Sequence, residues 1–207
     1  MSYDEHDAAL DAMYEQMGRE LYPNHKVQAI SEFTTERLRS YYVTNPKVML
    51  PAIGAYKEGK HLNSAKHYSA AVVFFASSVE LFLKATVLKP VVHGLIHSEG
   101  LANIIVQHAL GQTGFNRYND LLAQLFEELA EIKLKGILRS GATETLLVEW
   151  TTLQKLRNDV IHQGVVCTEE QAYHGLLISE AVYEHIVSPL LCALGLTVIE
   201  KGIIERQ

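Results

Sequence analysis

An arginine, an asparagine and a histidine lie within six residues of one another, at Arg157, Asn158 and His162. Histidine titrates near neutral pH, so its imidazole can accept or donate a proton. The arginine guanidinium is a fixed cation whose planar fork matches phosphate oxygens. The two side chains therefore suit cleavage of an RNA phosphodiester by its own 2′-hydroxyl, with histidine transferring protons and arginine stabilising charge on the phosphoryl oxygens. This route requires no metal ion.

The surrounding pattern predicts a long amphipathic helix over residues 143–163. Apolar residues recur at helical spacing and are predicted to face the core; they are Trp150, Leu153, Leu156, Val160 and Ile161. On this helix Asn158 and His162 are i,i+4 neighbours, whereas Arg157 lies roughly 140° around the axis from His162. Cationic side chains also complement the dipole at the end of any helix, so a purely structural role stays open.

The run from Arg157 to His162, with the sequence RNDVIH, resembles the signature of the HEPN family. That signature is an arginine, often followed by a polar residue, and a histidine after four to six intervening positions. Many HEPN proteins are metal-independent endoribonucleases of toxin–antitoxin, abortive-infection and CRISPR-linked defence systems. The resemblance implies that His162 transfers protons, that Arg157 stabilises the phosphate, and that Asn158 positions His162 or binds phosphate. It also implies RNA as the substrate and a homodimer whose two motifs line one cleft.

A second polar pair, Glu80 and Lys84, lies on a long apolar helix predicted over residues 62–89. The two residues are four apart, in the order that favours an ion pair. The surrounding sequence ASSVELFLKA resembles the early helix of HEPN proteins, where a glutamate or another polar residue often faces the Arg/His motif. We therefore expect Glu80 to support the site near His162 by orienting its ring. An ordinary ion pair on the helix surface is the alternative.

One position departs from part of the family. In HEPN toxins that are paired with a nucleotidyltransferase antitoxin, a tyrosine stands two positions after the motif histidine. Gly164 occupies that position here. Regulation by modification of that tyrosine is therefore not expected, while an antitoxin or another defence-system partner stays possible.

Composition favours a folded protein with a sizeable core. The chain has 207 residues, of which 48% are hydrophobic,. Its net charge of −6 argues against a general nucleic-acid coat protein but not against a ribonuclease with a small basic site,. Cys167 and Cys192 have neither zinc nor disulfide spacing and are predicted to be small core residues. Without a signal-like start or an apolar run that spans a bilayer, we expect a cytoplasmic protein without a membrane partner.

Long helical patterns and short loops predict an all-α fold, an antiparallel helical bundle. The predicted helices cover residues 3–22, 25–43, 47–58, 62–89, 99–110, 119–138, 143–163 and 169–193. Residues 1–60 are predicted to form an N-terminal helical extension, residues 62–195 the HEPN-like bundle, and residues 196–207 a tail that contains a short strand or extended chain.

Proline, glycine and capping residues set the predicted helix ends. We expect ends at Pro23, near Gly59 and at Pro90, and a kink at Pro189. Thr143 is predicted to be the N-cap of the motif helix and Gly164 its C-cap. Thr168 and Gln171 have the spacing of a capping box for the last long helix.

Two other functions compete with RNA cleavage. His93 and His97 are four residues apart and could share a metal ion on a helix, although neighbouring glycines weaken the helix and no glutamate completes an H-E-x-x-H pattern. We therefore predict neither a metal site nor a cofactor. The second alternative is a non-catalytic HEPN-like bundle that binds nucleotide, RNA or a protein partner. In that case Arg157 and His162 form a structural polar cluster.

Overall fold

The computed structural model describes residues 5–96, 98–106, 123–124, 127 and 130–207. These residues form a mainly helical fold with one small antiparallel sheet, so the predicted all-α class is confirmed at this level. The elements are α1 (Glu5–Thr44), α2 (Leu50–Ser64), α3 (Tyr68–Leu83), α4 (Lys89–Leu95), α5 (Glu99–Ile105), α6 (Leu146–Gln163), α7 (Glu169–Val182), α8 (Ser188–Ala193), β1 (Leu196–Ile199) and β2 (Ile203–Arg206). Of the helix predicted over residues 119–138, residues 119–122, 125–126 and 128–129 lie outside the described residues. Residues 123, 124, 127 and 130 are helical, but residues 131–138 are not α-helical and contain a short 3₁₀ turn at Leu134–Gly136.

The predicted break at Pro23 is wrong, because α1 continues through this proline. A proline removes one backbone donor and can bend a helix, but the hydrogen bonds before and after it can persist. The second half of α1 packs on the bundle, where Leu38 and Tyr42 are buried. The Tyr42 hydroxyl donates to the Thr86 carbonyl at 2.5 Å. Residues 11–20, in the first half, are exposed throughout.

The predicted helix end at Pro90 is also wrong, because the helix continues past this proline. The same type of segment precedes Pro90 and Pro189. A five-residue π-helical segment, Lys84–Leu88, carries the chain from α3 into α4, and a second one, Tyr183–Val187, carries it from α7 into α8. Each segment ends two residues before a proline. Each proline falls in the first turn of the helix that follows the π-helical segment, where the missing N–H costs little,. The Thr86 carbonyl, four residues before Pro90, accepts its bond from α1 instead.

The predicted break near Gly59 is absent, and α2 continues to Ser64. A Cβ on Gly59 would lie 2.8 Å from the ring of Phe75 in α3. Glycine is therefore needed here for close contact between two helices, not for a turn. The Ser78 hydroxyl donates to the Ala52 carbonyl at 3.1 Å, which joins the end of α3 to the start of α2. These contacts make α2 and α3 antiparallel, and the predicted domain boundary near residue 60 falls within α2.

The two central helices, α3 and α7, run in the same direction. At their first turns, the Tyr68 hydroxyl donates to a Glu169 carboxylate oxygen at 3.1 Å. At their far ends, the rings of Phe82 and Tyr183 lie 5.8 Å apart. The antiparallel arrangement predicted for the bundle therefore does not hold for this pair. The predicted capping box at the start of α7 is confirmed, with both of its hydrogen bonds formed.

The C-terminal tail forms a β-hairpin that contacts the end of α1. Strand β1 pairs with β2 in antiparallel register, so the predicted short strand is confirmed. The Ile204 N–H donates to the Pro46 carbonyl at 3.0 Å. Arg39 of α1 donates from Nε to the Leu194 carbonyl at 2.7 Å, immediately before the hairpin. The tail is thus packed against the helices.

Two helical stretches, Tyr68–Gly94 and Glu169–Ala193, are long and apolar enough to cross a membrane when judged by length and composition alone. Their apolar residues supply much of the core, including Val72, Phe75, Val79, Ile178, Val182 and Val187. That placement is compatible with a soluble protein, in which core helices are apolar because they are buried.

Candidate functional site

Helix α6 carries the Arg/His motif and ends as predicted. Gly164 adopts a left-handed conformation with φ 68° and ψ 26°, and its N–H bonds the Asp159 carbonyl. Glycine adopts this conformation at little cost, so it closes the helix directly after the motif. The start of α6 differs from the prediction, because the N-cap is Thr145 and Thr143 precedes the helix. The Leu146 N–H, which has no partner within the first turn of the helix, donates to the Ile137 carbonyl at 2.8 Å,.

The predicted core stripe of α6 is correct over most of its length. Trp150 and Leu153 are buried, and Leu156 and Val160 are partly buried. Ile161 was predicted to face the core, but 49% of its surface is exposed. Val165 and Val166, just beyond the helix, are 37% and 84% exposed. Ile161, Val165 and Val166 are thus three exposed aliphatic residues within six positions of the chain, adjacent in sequence to His162, and together they are called the aliphatic patch.

Four polar residues from α3, α6 and the first π-helical segment form the Glu80–Arg157 cluster. The Arg157 Nη1 donates to the Asn158 Oδ1 at 2.9 Å. The Arg157 Nη2 lies 4.0 Å from the Glu80 Oε2, and the Lys84 Nζ donates to the Glu80 Oε1 at 2.7 Å. One carboxylate thus lies between two cations. The cluster contains three of the four residues that the sequence proposes for the site.

His162 is exposed on the last turn of α6. Within the part of the chain that the structure describes, its imidazole forms no hydrogen bond or ion pair. Glu80 is predicted to orient His162, and Asn158 to position His162 or bind phosphate; in the structure both residues contact Arg157. Arg157 retains 32% side-chain exposure, so its guanidinium is held on one side and open to solvent on another. A solvent-accessible imidazole and a partly exposed guanidinium are the groups that phosphodiester cleavage by a 2′-hydroxyl would use.

A second cluster surrounds Glu149, at the start of α6, and sequence reasoning missed it. The Glu149 carboxylate is buried, and the Arg139 Nε donates to both of its oxygens at 3.0 and 2.9 Å. The His174 Nε2 lies 3.1 Å from the Glu149 Oε1. The sequence does contain an indication of this cluster. Glu149 lies four residues before Leu153, on the apolar stripe that is predicted to be buried, and a buried carboxylate requires polar partners. This cluster ties the turn before α6 to α7.

The described residues contain no group of three or more histidine, cysteine, aspartate or glutamate side chains that could hold a metal ion. His97, one half of the histidine pair considered above, lies outside the described residues. The ring of His93 stacks on Tyr41 with centroids 5.1 Å apart. Cys167 is buried as predicted, and burial raises the pKa of its thiol, whereas Cys192 is exposed, contrary to prediction.

No protein-family model, curated protein or solved structure matches the chain in the comparisons made.

Proposed function

We propose that this protein is a HEPN-type, metal-independent endoribonuclease that cleaves RNA phosphodiester bonds through the 2′-hydroxyl. The observation that carries the proposal is the end of α6, where His162 is exposed five residues after an Arg157 guanidinium that Glu80 and Asn158 hold. A fixed cation and an accessible acid–base group on one helix end are the minimal equipment for this reaction. We assign His162 to proton transfer and Arg157 to stabilisation of the phosphate. Asn158 and Glu80 act as positioning residues for Arg157.

The proposed reaction needs two proton-transfer groups, one that accepts a proton and one that donates a proton. A neutral imidazole accepts the 2′-hydroxyl proton while the 2′-oxygen forms a bond to phosphorus. The bond from phosphorus to the 5′-oxygen breaks, and that leaving oxygen receives a proton from an imidazolium. The products are a 2′,3′-cyclic phosphate and a 5′-hydroxyl. Arg157 stabilises the negative charge that grows on the phosphoryl oxygens during the step.

Each chain supplies one motif histidine, so the reaction favours a homodimer. His162 of one subunit then acts as the base, and His162 of the partner subunit acts as the acid. The aliphatic patch of Ile161, Val165 and Val166 supports this arrangement, because exposed apolar side chains next to the motif offer a surface for the second copy,. The same proposal includes a cytoplasmic location and a role in a toxin–antitoxin or phage-defence system. An antitoxin or another defence protein is then the partner.

A second candidate function is binding without catalysis. The ion pairs of the Glu80–Arg157 cluster favour this candidate. A guanidinium that is paired with a carboxylate has a sufficient structural role in holding α3 against α6, without any part in catalysis,. In that case the bundle binds nucleotide, RNA or a protein partner, and His162 has no role in chemistry.

Incubation of the purified protein with single-stranded RNA in EDTA separates the two functions. We expect the wild type to cleave and His162→Ala to lose activity by about 10²–10⁴-fold. His61→Ala, which removes an exposed histidine of α2, is the matched control and should cleave like the wild type. Cleavage that His162→Ala retains, or no cleavage by any of the three proteins, would reject the nuclease.

A further inference from the structure

A groove of about 670 Å³ lies between α1, α4 and α5. Its lining combines aromatic, cationic and amide side chains, among them Phe33, Arg37, Tyr41, Lys89, His93 and Asn103. Glu36, an acidic residue of the lining, forms an ion pair with Arg39. The groove therefore presents positive charge beside aromatic surface, in a protein whose net charge is −6.

Local contacts hold the walls of this groove in place. The rings of Tyr41 and His93 are stacked, with centroids 5.1 Å apart and planes inclined by 22°. The Arg37 Nε donates to the Gly94 carbonyl at 2.8 Å, at the end of α4. The same guanidinium lies 5.6 Å from the centre of the Phe33 ring. Aromatic rings and arginine planes held in this way are the surfaces on which bases of single-stranded nucleic acids stack.

The groove and the Glu80–Arg157 cluster draw residues from one continuous helical run, which passes from α3 through the first π-helical segment into α4. Glu80 and Lys84 belong to the cluster, and Lys89 and His93 line the groove. The helix rises about 20 Å from Glu80 to His93 at 1.5 Å per residue. Two basic side chains, Lys84 and Lys89, lie along this run between Glu80 and His93.

We propose that this groove binds single-stranded RNA on one side of the cleavage position. Lys89 contacts a backbone phosphate, and a base stacks against the Tyr41–His93 ring pair. Arg37 holds the wall through its bond to α4 and adds positive charge. The inference rests on the proposed function, because it treats Arg157 and His162 as the place where the same RNA strand is cut.

The test measures RNA binding without cleavage, using His162→Ala as the parent protein and fluorescein-labelled oligoadenylate as the probe. Adding Lys89→Ala should weaken RNA binding. It should also reduce the magnitude of the slope of the logarithm of the association constant against the logarithm of the salt concentration by about 0.7, which corresponds to the loss of one phosphate contact to a single strand. Adding Tyr41→Leu should weaken binding about tenfold, within the range for loss of one stacked base, and leave the salt slope unchanged. Lys57→Ala, an exposed lysine of α2, should change neither quantity.

The outcomes separate the groove from the nuclease. If Lys89→Ala and Tyr41→Leu bind RNA like Lys57→Ala, or if no variant binds RNA, the groove proposal is overturned. If wild-type protein cleaves while the groove variants bind and cleave normally, only the groove fails. If the groove variants lose binding while wild-type protein cleaves no RNA, the groove stands and the nuclease fails. Melting curves that match the parent protein establish that each variant is folded.

Discussion

The Arg157 guanidinium of α6 lies 4.0 Å from the Glu80 carboxylate of α3, and that carboxylate also accepts a hydrogen bond from Lys84. The contact joins two residues that are 77 positions apart in sequence and connects α3 to α6. It also gives Glu80 a role that differs from the expected one, since Glu80 holds the arginine and not the histidine. In the proposed nuclease the carboxylate orients the cation that the transition state uses.

Glu80→Gln should reduce RNA cleavage about tenfold, because a neutral amide holds the Arg157 fork less firmly than a carboxylate does. Stability should change by less than about 1 kcal/mol, as is usual for partly exposed ion pairs. Glu80→Gln should have little further effect on Arg157→Ala, since both changes act through the same cation. Single-turnover rates of the four proteins in this cycle measure the coupling. Equal rates for Glu80→Gln, Glu58→Gln (an exposed α2 control) and wild type would show that Glu80 has no positioning role.

Val166→Glu should prevent pairing of two copies through the aliphatic patch. Val166 is 84% exposed, so the substitution places a charge on the surface without disturbing the core. Light scattering should show a dimer for the wild type and a monomer for Val166→Glu, with loss of cleavage in the monomer. Val148→Glu, at the other end of α6 and 47% exposed, is the control and should remain dimeric and active. A wild type that cleaves RNA as a monomer would contradict the two-histidine arrangement.

Gly59→Ala should destabilise the protein, although alanine is the better helix former. The added Cβ would lie 2.8 Å from the buried ring of Phe75, and overpacking of this kind costs about 1–3 kcal/mol,. Gly54→Ala, on the same helix with no atom within 4 Å of the added Cβ, should gain up to about 1 kcal/mol,. Urea unfolding midpoints at unchanged slope measure both effects. A stability gain at both positions would show that the contact between α2 and α3 is looser than described.

Features that depend on local chemistry could be predicted from the sequence. Gly164 closes α6 because a left-handed residue is needed there, and Thr168 with Gln171 forms a capping box within a single turn. The buried positions Trp150 and Leu153 follow from helical periodicity,. Each of these signals lies within a few residues of the structure that it specifies.

Features that depend on distant partners could not be predicted in this way. Gly59 resembles a break in sequence, yet it is set by a ring on another helix. Pro90 resembles a helix end, yet a π-helical segment and a hydroxyl from α1 accommodate it. At the candidate site, helical spacing placed Asn158 beside His162, but the nearer Arg157 side chain occupies the amide oxygen. Tertiary contacts decide among options that local sequence leaves open.

The proposed reaction uses the RNA 2′-hydroxyl as its nucleophile and His162 as the proton-transfer group. The most direct measurement is single-turnover cleavage, in EDTA, of a short RNA and of the same strand with a 2′-deoxynucleotide at the scissile position. We predict that wild-type protein cleaves only the all-ribose strand, that the product carries a 2′,3′-cyclic phosphate, and that His162→Ala leaves both strands intact. Cleavage of the 2′-deoxy strand, a product with a free 3′-hydroxyl, or undiminished cleavage by His162→Ala would contradict the proposed mechanism.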